Sequence, residues 1–312
     1  MTLPNSYTLL TAQQKIFYDR VLLERLLANI TYLKFGQKKT IPKNEGAAIN
    51  FRRFSSLPQS ITPLTEGVTP AGRNLTITQV NATVQQFGDF VTITDLLELA
   101  GIDPVLTEVM EALGEQAGES LDIVVRNVIG AGTNVFFVGG GPARINVGAA
   151  HVVTGNTIRR VRQIMARNNV KPVSEAGAYI AFIHPDQSHD LTASADWLNP
   201  NTYADPKNIF EHELGKLHGV RFIETTLAPI YTGQGTAGRD VYGMIVIGAN
   251  AYGIPDIAGK SKPEYIIMPR GSGGTQDPLK QRSTCGWVAF MTAVRLDELC
   301  ILRVESCVSS IA

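Results

Sequence analysis

The densest group of reactive side chains lies in HPDQSHD, His184 to Asp190, which holds two histidines, two aspartates and a serine. Residues of these types can grip a metal, pass a proton or arm a nucleophile, and their spacing decides which. His184 and His189 fall on different faces of a helix, unlike the one-turn HExxH pair that holds zinc. Ser188 lacks the strained GxSxG elbow that presents a nucleophilic hydroxyl. What remains is a local reading: a strand ends, Pro185 opens a short helix, and polar side chains solvate the turn.

Other candidates thin out in the same way. GGGP (139–142) and GSGG (271–274) have neither the GK[ST] ending nor the GxGxxG spacing that wraps backbone donors around a phosphate, so they read as loop turns. IRRVRQIMAR places Arg159, Arg160, Arg162 and Arg167 on one short helix, a pattern suited to nucleic acid. Ile158, Val161 and Met165 form its buried stripe, which leaves the arginines as the solvated side; an inward-facing or inter-subunit patch is the alternative. Glu211 and Glu213 stand near His212 and His218 without an identifiable pocket, and proximity in sequence is not catalytic geometry. No catalytic, cofactor-binding or metal-ligating residue is therefore expected. A cytosolic α/β enzyme stays open only as a site assembled from distant residues near His184 or His212.

The elements that carry these residues are uneven in kind. Residues 11–30 begin with a capping box, Thr11 and Gln14, and Ile16, Phe17, Val21, Leu22, Leu26, Leu27 and Ile30 make a broad helical stripe. Gly36, Pro42 and Gly46 then break the pattern, so this arm must find its packing partner far away in sequence or on another subunit. Phe17, Leu22 and Leu26 are its expected contacts. Residues 47–95 read as extended: Ile49 and Phe51 alternate with Asn50 and Arg52, and Leu75 and Ile77 with Thr76 and Thr78. The apolar phase moves at Gln79 to Val80, Ala82 and Val84, as one extra residue in a β-bulge would move it. Asp103 and Pro104 make a helix start, and Leu106, Val109, Met110, Leu113, Leu121, Val124 and Val128 continue a face to about Ile129. That helix is a spine of roughly 35–40 Å. Gly114 and Gly118 within it either admit a close neighbour or mark a bend.

From about residue 150 the elements shorten into a mixed α/β layer: a helix at 156–168, the strand YIAFIHP, a helix around 206–214, the strand GVRFIETTL, and strands at 241–249 and 263–269. WVAFMTAV and LCILRV, within 285–305, return to strand and are expected to pair into the sheet near the spine.

The 312 residues are 44% hydrophobic and 18% charged, which describes a globular chain and neither a disordered one nor a coiled coil. A formal net charge of zero removes long-range attraction to nucleic acid or an anionic membrane. Cys285, Cys300 and Cys307 are odd in number and lack CxxC spacing, so reduced thiols are expected. MTLPNSYTLL lacks the basic-then-apolar pattern of a secretion signal, and no run of 18 apolar residues occurs; a cytosolic protein that does not cross a membrane is expected.

PLTEGVTPAGRN, residues 63–74, fits poorly into any of this. It lies between two strand-like segments, carries two prolines and two glycines, and has only Leu64 and Val68 as large aliphatics. An extended two-stranded loop is poorly stable alone, because it has backbone edges to satisfy and too little face to bury. Such a segment calls for the surface of another molecule.

PLTEGVTPAG and VQQFGDFVTITD, then DPVLTE, GEQAGESLD, GTNV, IHPD, GKLHGVRFIETT, DPLKQRSTCGW and the closing LRVES run in this order from about residue 40 to 306. Together they resemble the major capsid proteins of N-four-like tailed bacteriophages. The resemblance implies an α+β chain with the tailed-phage major capsid fold, shared with the herpesvirus capsid floor and encapsulins. Its parts would be an N-terminal arm (1–45), an extended β-hairpin loop (46–100), a peripheral domain with the long spine helix (101–150 and 282–312) and an axial α/β domain (151–281). It implies a structural protein, not an enzyme, that self-assembles through hexamers and pentamers into an icosahedral head shell around phage double-stranded DNA. An encapsulin-like compartment is the alternative. The expected inter-subunit contacts are Ile49, Phe51, Arg52, Arg53, Leu64, Glu66, Val68, Arg73, Leu75 and Ile77. Expected partners are identical subunits, a portal, a decoration protein and packaged DNA contacted non-specifically. A separate scaffolding protein is expected too, since no long charged segment precedes the arm. The virion capsid, assembled in the host bacterial cytoplasm, is the expected location, and no cofactor is implied.

Overall fold

The computed structural model describes residues 30–309 except 44–45, 56, 65, 70–71, 101–104, 174–176, 199–212, 258–260 and 273–276. The expected arm helix, with Thr11, Gln14, Phe17, Leu22 and Leu26, lies outside the described residues, as do Asp103, Pro104, Glu211 and His212. The described chain enters through a turn at Tyr32–Lys34 and forms β1 (Gln37–Ile41), β2 (Ala48–Phe54), β3 (Ile77–Thr83), β4 (Gln85–Thr94), a short helix α1 (Asp95–Ala100) and the spine α2 (Val105–Gly130).

β2 and β3 pair antiparallel from Ala48↔Thr83 to Phe54↔Ile77 with no shift of register. The bulge expected at Gln79 is therefore absent. The change of apolar phase has another cause: Phe51, Val80 and Ala82 share the face turned to the body, while Phe54 and Ile77 sit opposite each other on the outer face and are exposed. Both faces carry apolar residues, and no residue is inserted.

α2 buries Met110, Leu113, Ala117, Leu121, Val125 and Ile129, a three-and-four spacing that gives one continuous stripe. Its 26 residues span about 39 Å, and the helix runs unbroken through the buried Gly114 and Gly118. The last turn has no basic residue of its own. Arg295 and Arg303 compensate from distant strands, donating to the carbonyls of Val128 and Gly130 that the helix leaves open.

The second half holds β5 (Val135–Phe137), α3 (Gly155–Arg167), β6 (Tyr179–Ile183), α4 (Pro185–Thr192), α5 (Ala195–Leu198), β7 (Glu213–Leu217), β8 (Val220–Glu224), β9 (Ile230–Tyr231) and β10 (Val241–Ile247). β11 (Tyr252–Ile257), β12 (Glu264–Met268), β13 (Arg282–Met291), β14 (Val294–Arg295) and β15 (Ile301–Ser306) complete it. The expected helix around 206–214 meets strand at its described end, since Glu213 and Leu214 begin β7, antiparallel to β8.

A seven-stranded sheet runs β5-β15-β10-β6-β8-β7, with β9 on β10. Every residue of β6 and of β10 is buried, which explains their continuous apolar runs: α2 covers one face, α3 and Leu191 of α4 the other. A six-stranded sheet runs β1-β11-β13-β12, with β14 on β11 and β4 on β13. The spine lies between the sheets, and its cluster takes Phe182 and Ile245 from one and Trp287 and Met291 from the other. WVAFM pairs beside the spine as expected, in the half of β13 that lies against Gln85–Asp89 of β4. LCILRV also pairs beside the spine, in the other sheet: it lies between β10 and β5, with Ile301 in the spine's cluster and Leu302 and Val304 buried on the opposite face.

Candidate assembly surface

The residues of HPDQSHD cap their own helix or tie it to neighbouring elements, and do not converge on a common point. His184 caps α4, its Nδ1 accepting the Asp186 amide at 3.2 Å, and partial burial holds its pKa below the usual imidazole range. Gln187 is buried and donates to the Tyr242 carbonyl (3.2 Å) and the Ser306 hydroxyl (2.7 Å). Ser188 donates to the Pro185 carbonyl at 2.8 Å, and Asp190 accepts the Ser309 amide at 2.9 Å. His189 faces solvent. Arg159 pairs with Asp196 (3.2 Å) and donates to His218, Arg160 bonds Gln163, and with His151 the two arginines line an open groove of about 710 Å³ beside α3. Among the described residues no group of three His, Cys, Asp or Glu side chains is placed to hold a metal, and no helix is long and apolar enough to cross a membrane. The three cysteines are free thiols.

The hairpin β2–β3 is different, because its root is fastened and its far end is bare. Phe51 is buried against β11, where Gly253 leaves room for its ring: a Cβ at 253 would come within 2.6 Å. Lys39 lies 5.5 Å over the same ring and donates to the Asn50 carbonyl at 3.1 Å. Arg53 pairs with Asp297 at 2.7 Å. Of the expected contact residues, Ile49, Phe51 and Arg53 are thus engaged by their own chain, Ile49 being half-buried. Arg52, Leu64, Glu66, Val68, Arg73, Leu75 and Ile77 are exposed.

Beyond Phe54 the chain makes a long loop before β3 in which no helix or strand is described. Leu57, Ile61, Leu64, Val68 and Leu75 project from it, Ile61 at 85% and Leu64 at 76% of full exposure. With Phe54 and Ile77 they form a run of large apolar side chains that the described residues of their own chain leave uncovered.

A second apolar face went unread in the sequence. On the outer side of the six-stranded sheet, Ile266, Gly286 and Phe90 lie abreast across β12, β13 and β4, with Met268 beside them. Gly286 has no side chain to fill the middle, and a shallow groove of about 650 Å³ results. The signal was in β4: Phe87, Val91 and Ile93 share the inner phase, and Phe90 alone is an aromatic out of phase.

The sequence profile of the phage capsid protein family matches residues 77–304, well over half of the 312 residues. The chain belongs to the phage capsid protein family. No curated protein matches the chain. Among solved structures it is similar to the capsid of Ralstonia phage GP4, with a TM-score of 0.70 and 14% identity over 89% of this chain and 88% of that one. The asymmetric unit of the cyanophage Pam1 capsid gives 0.68 and 16% over 93% and 94%, and the head of Helicobacter pylori bacteriophage KHP40 gives 0.62 and 14% over 86% and 88%. At such identities the likeness shows the fold, which is the mixed α+β tailed-phage capsid fold.

This phage capsid protein is a major shell protein, a structural chain whose working surface is the one it presents to its copies. The alternatives of a compartment shell and of a cytosolic enzyme are not favoured.

Proposed function

We propose that this capsid protein builds an icosahedral head shell from hexamers and pentamers around double-stranded DNA, and that the loop between β2 and β3 holds neighbouring copies together. The observation that carries the reading is the fastened root with the bare tip. Phe51 and Arg53 hold the hairpin to its own body, while Phe54, Leu57, Ile61, Leu64 and Val68 extend past it without cover. A neighbouring copy supplies that cover in every subunit alike, so many modest contacts sum around a closed shell. The groove of Phe90, Ile266 and Met268 is a receiving surface of fitting chemistry.

The division proposed is an arm at 1–45, an extended loop at 46–100, a peripheral part at 101–150 with 282–312, and an axial part at 151–281. Strand pairing supports moving β12 and the end of β11 to the peripheral part, since both hydrogen-bond to β13. Scaffolding protein, portal, decoration protein and non-specifically held DNA are the proposed partners, and the host cytoplasm is the proposed place of assembly.

Ile61→Ser with Leu64→Ser tests the loop. The variant is expected to keep the unfolding free energy of the unassembled subunit within about 0.5 kcal/mol, as exposed substitutions do, while negative-stain microscopy shows loss of shells. Shells of normal yield and size would refute the role given to the loop.

A further inference from the structure

Among the described residues the seven-stranded sheet ends at β5, which pairs with β15 and carries no strand on its other side. The parallel ladder uses alternate residues along β5 and its two ends: the Arg303 amide donates to the Asn134 carbonyl at 3.0 Å, and the Val138 amide to the Glu305 carbonyl at 2.9 Å. Val135 and Phe137 fall between these, so their amides and the Val135 carbonyl turn outward, where no described backbone group meets them. An edge of this kind accepts an extended segment through main-chain hydrogen bonds.

The strand shares with α3 the open groove of about 710 Å³, whose sides differ in chemistry. Half-buried Phe136 and Val152 make an apolar floor, while α3 contributes Arg159 and Arg160, and no described lining residue is acidic. α3 carries four arginines and no acid in 13 residues, in a chain whose acidic and basic residues number 28 each. Positive charge is therefore gathered here instead of being interleaved as on an ordinary solvated helix. Arg159 shares Asp196 at 3.2 Å and Arg160 bonds the neutral Gln163 at 2.9 Å, which leaves each guanidinium further N–H donors in the planar fork that fits a carboxylate. Gly139, first of the GGGP run, lets the His151 ring close one end of the groove, since a Cβ there would lie 2.5 Å from it.

We propose that this groove receives an extended acidic segment of a partner protein, which adds a strand to β5, rests apolar side chains on Phe136 and Val152 and sets carboxylates on Arg159 and Arg160. Strand geometry supplies the match, because alternate side chains of one extended segment point to opposite sides, one set apolar and the other acidic. A peptide uses the strand edge, the floor and the cations together, whereas a nucleic acid would use the cations alone. The groove shares no residue with the loop between β2 and β3 or with the groove at Gly286.

Fluorescence anisotropy of a labelled decapeptide of alternating Glu and Val, titrated with the unassembled full-length subunit, tests this. Saturable binding is expected, about tenfold tighter than that of a decapeptide of alternating Lys and Val. Arg160→Glu, a change at an exposed position, is expected to weaken it about tenfold. Val135→Pro removes an outward amide at the first residue of the edge strand and no bond to β15, and is expected to weaken it about threefold. Absence of binding, equal binding of the Lys and Val peptide, or indifference to Arg160→Glu overturns the proposal. A short DNA duplex bound as tightly as the acidic peptide overturns it too, and gives the arginine face to nucleic acid. The readout does not depend on assembly, so the role of the loop in shells and this groove stand or fall separately.

Discussion

Glu305 shows how one buried charge is made tolerable when partners are available. It lies fully buried on β15, takes Arg144 by two bonds of 2.6 and 2.7 Å, and takes the Arg303 Nε at 2.8 Å. The Arg144 guanidinium also stacks 3.4 Å over the Tyr231 ring, and its bonds to Glu305 raise its pKa. Removing the carboxylate leaves two guanidinium groups facing each other with part of their surface out of water. Glu305→Ala is expected to cost about 3–5 kcal/mol in urea unfolding of the subunit. The Arg53–Asp297 pair, whose arginine is half exposed, is expected to cost no more than about 1 kcal/mol in the same measurement when Arg53 becomes Ala. A loss at Glu305 as small as that at Arg53 would mean that water already reaches the cluster.

At the scale of elements, the hairpin's direction is set by one close approach. Gly253 on β11 faces the Phe51 ring at a distance that excludes a Cβ. Gly253→Ala is expected to destabilise the subunit by about 1–3 kcal/mol through overpacking, and by less than about 0.5 kcal/mol when Phe51 is already Leu. Equal costs in both backgrounds, measured by chemical denaturation, would show that the ring is not what the methyl meets. Contacts of this kind also explain what the sequence did and did not disclose. The spine, α3, β6 and β10 were legible because their periods are decided by burial that is uniform along their length. LCILRV was legible as a strand beside the spine, but its partners β10 and β5 were not, because strand pairing across a long separation leaves no mark in local pattern. The bulge at Gln79 was inferred from a phase change that came instead from an exposed Phe54–Ile77 pair. That pair is apolar and exposed, not core. Leu64 and Val68 were legible as exposed for the opposite reason, since prolines and glycines around them rule out an element that would bury them. The groove beside β5 and the groove at Gly286 were not legible, because each is defined by residues that only the tertiary fold brings together.

For the molecule as a whole, charge and apolar surface make separable contributions to assembly. Acidic and basic residues number 28 each, so copies approaching one another carry no net repulsion for salt to screen. The uncovered surface at the hairpin tip and on the outer sheet is aliphatic and aromatic, and burying it draws on a driving force that weakens on cooling. The concentration at which shells first form is therefore expected to change less than about threefold between 50 and 500 mM sodium chloride, because pairwise charge terms nearly cancel. Between 37 °C and 4 °C it is expected to rise several-fold, as apolar association loses strength. Light scattering across a dilution series reads both. A tenfold fall of that concentration with added salt would mean that like-charged faces meet in the lattice, and indifference to temperature would take the apolar tip and groove out of the interface.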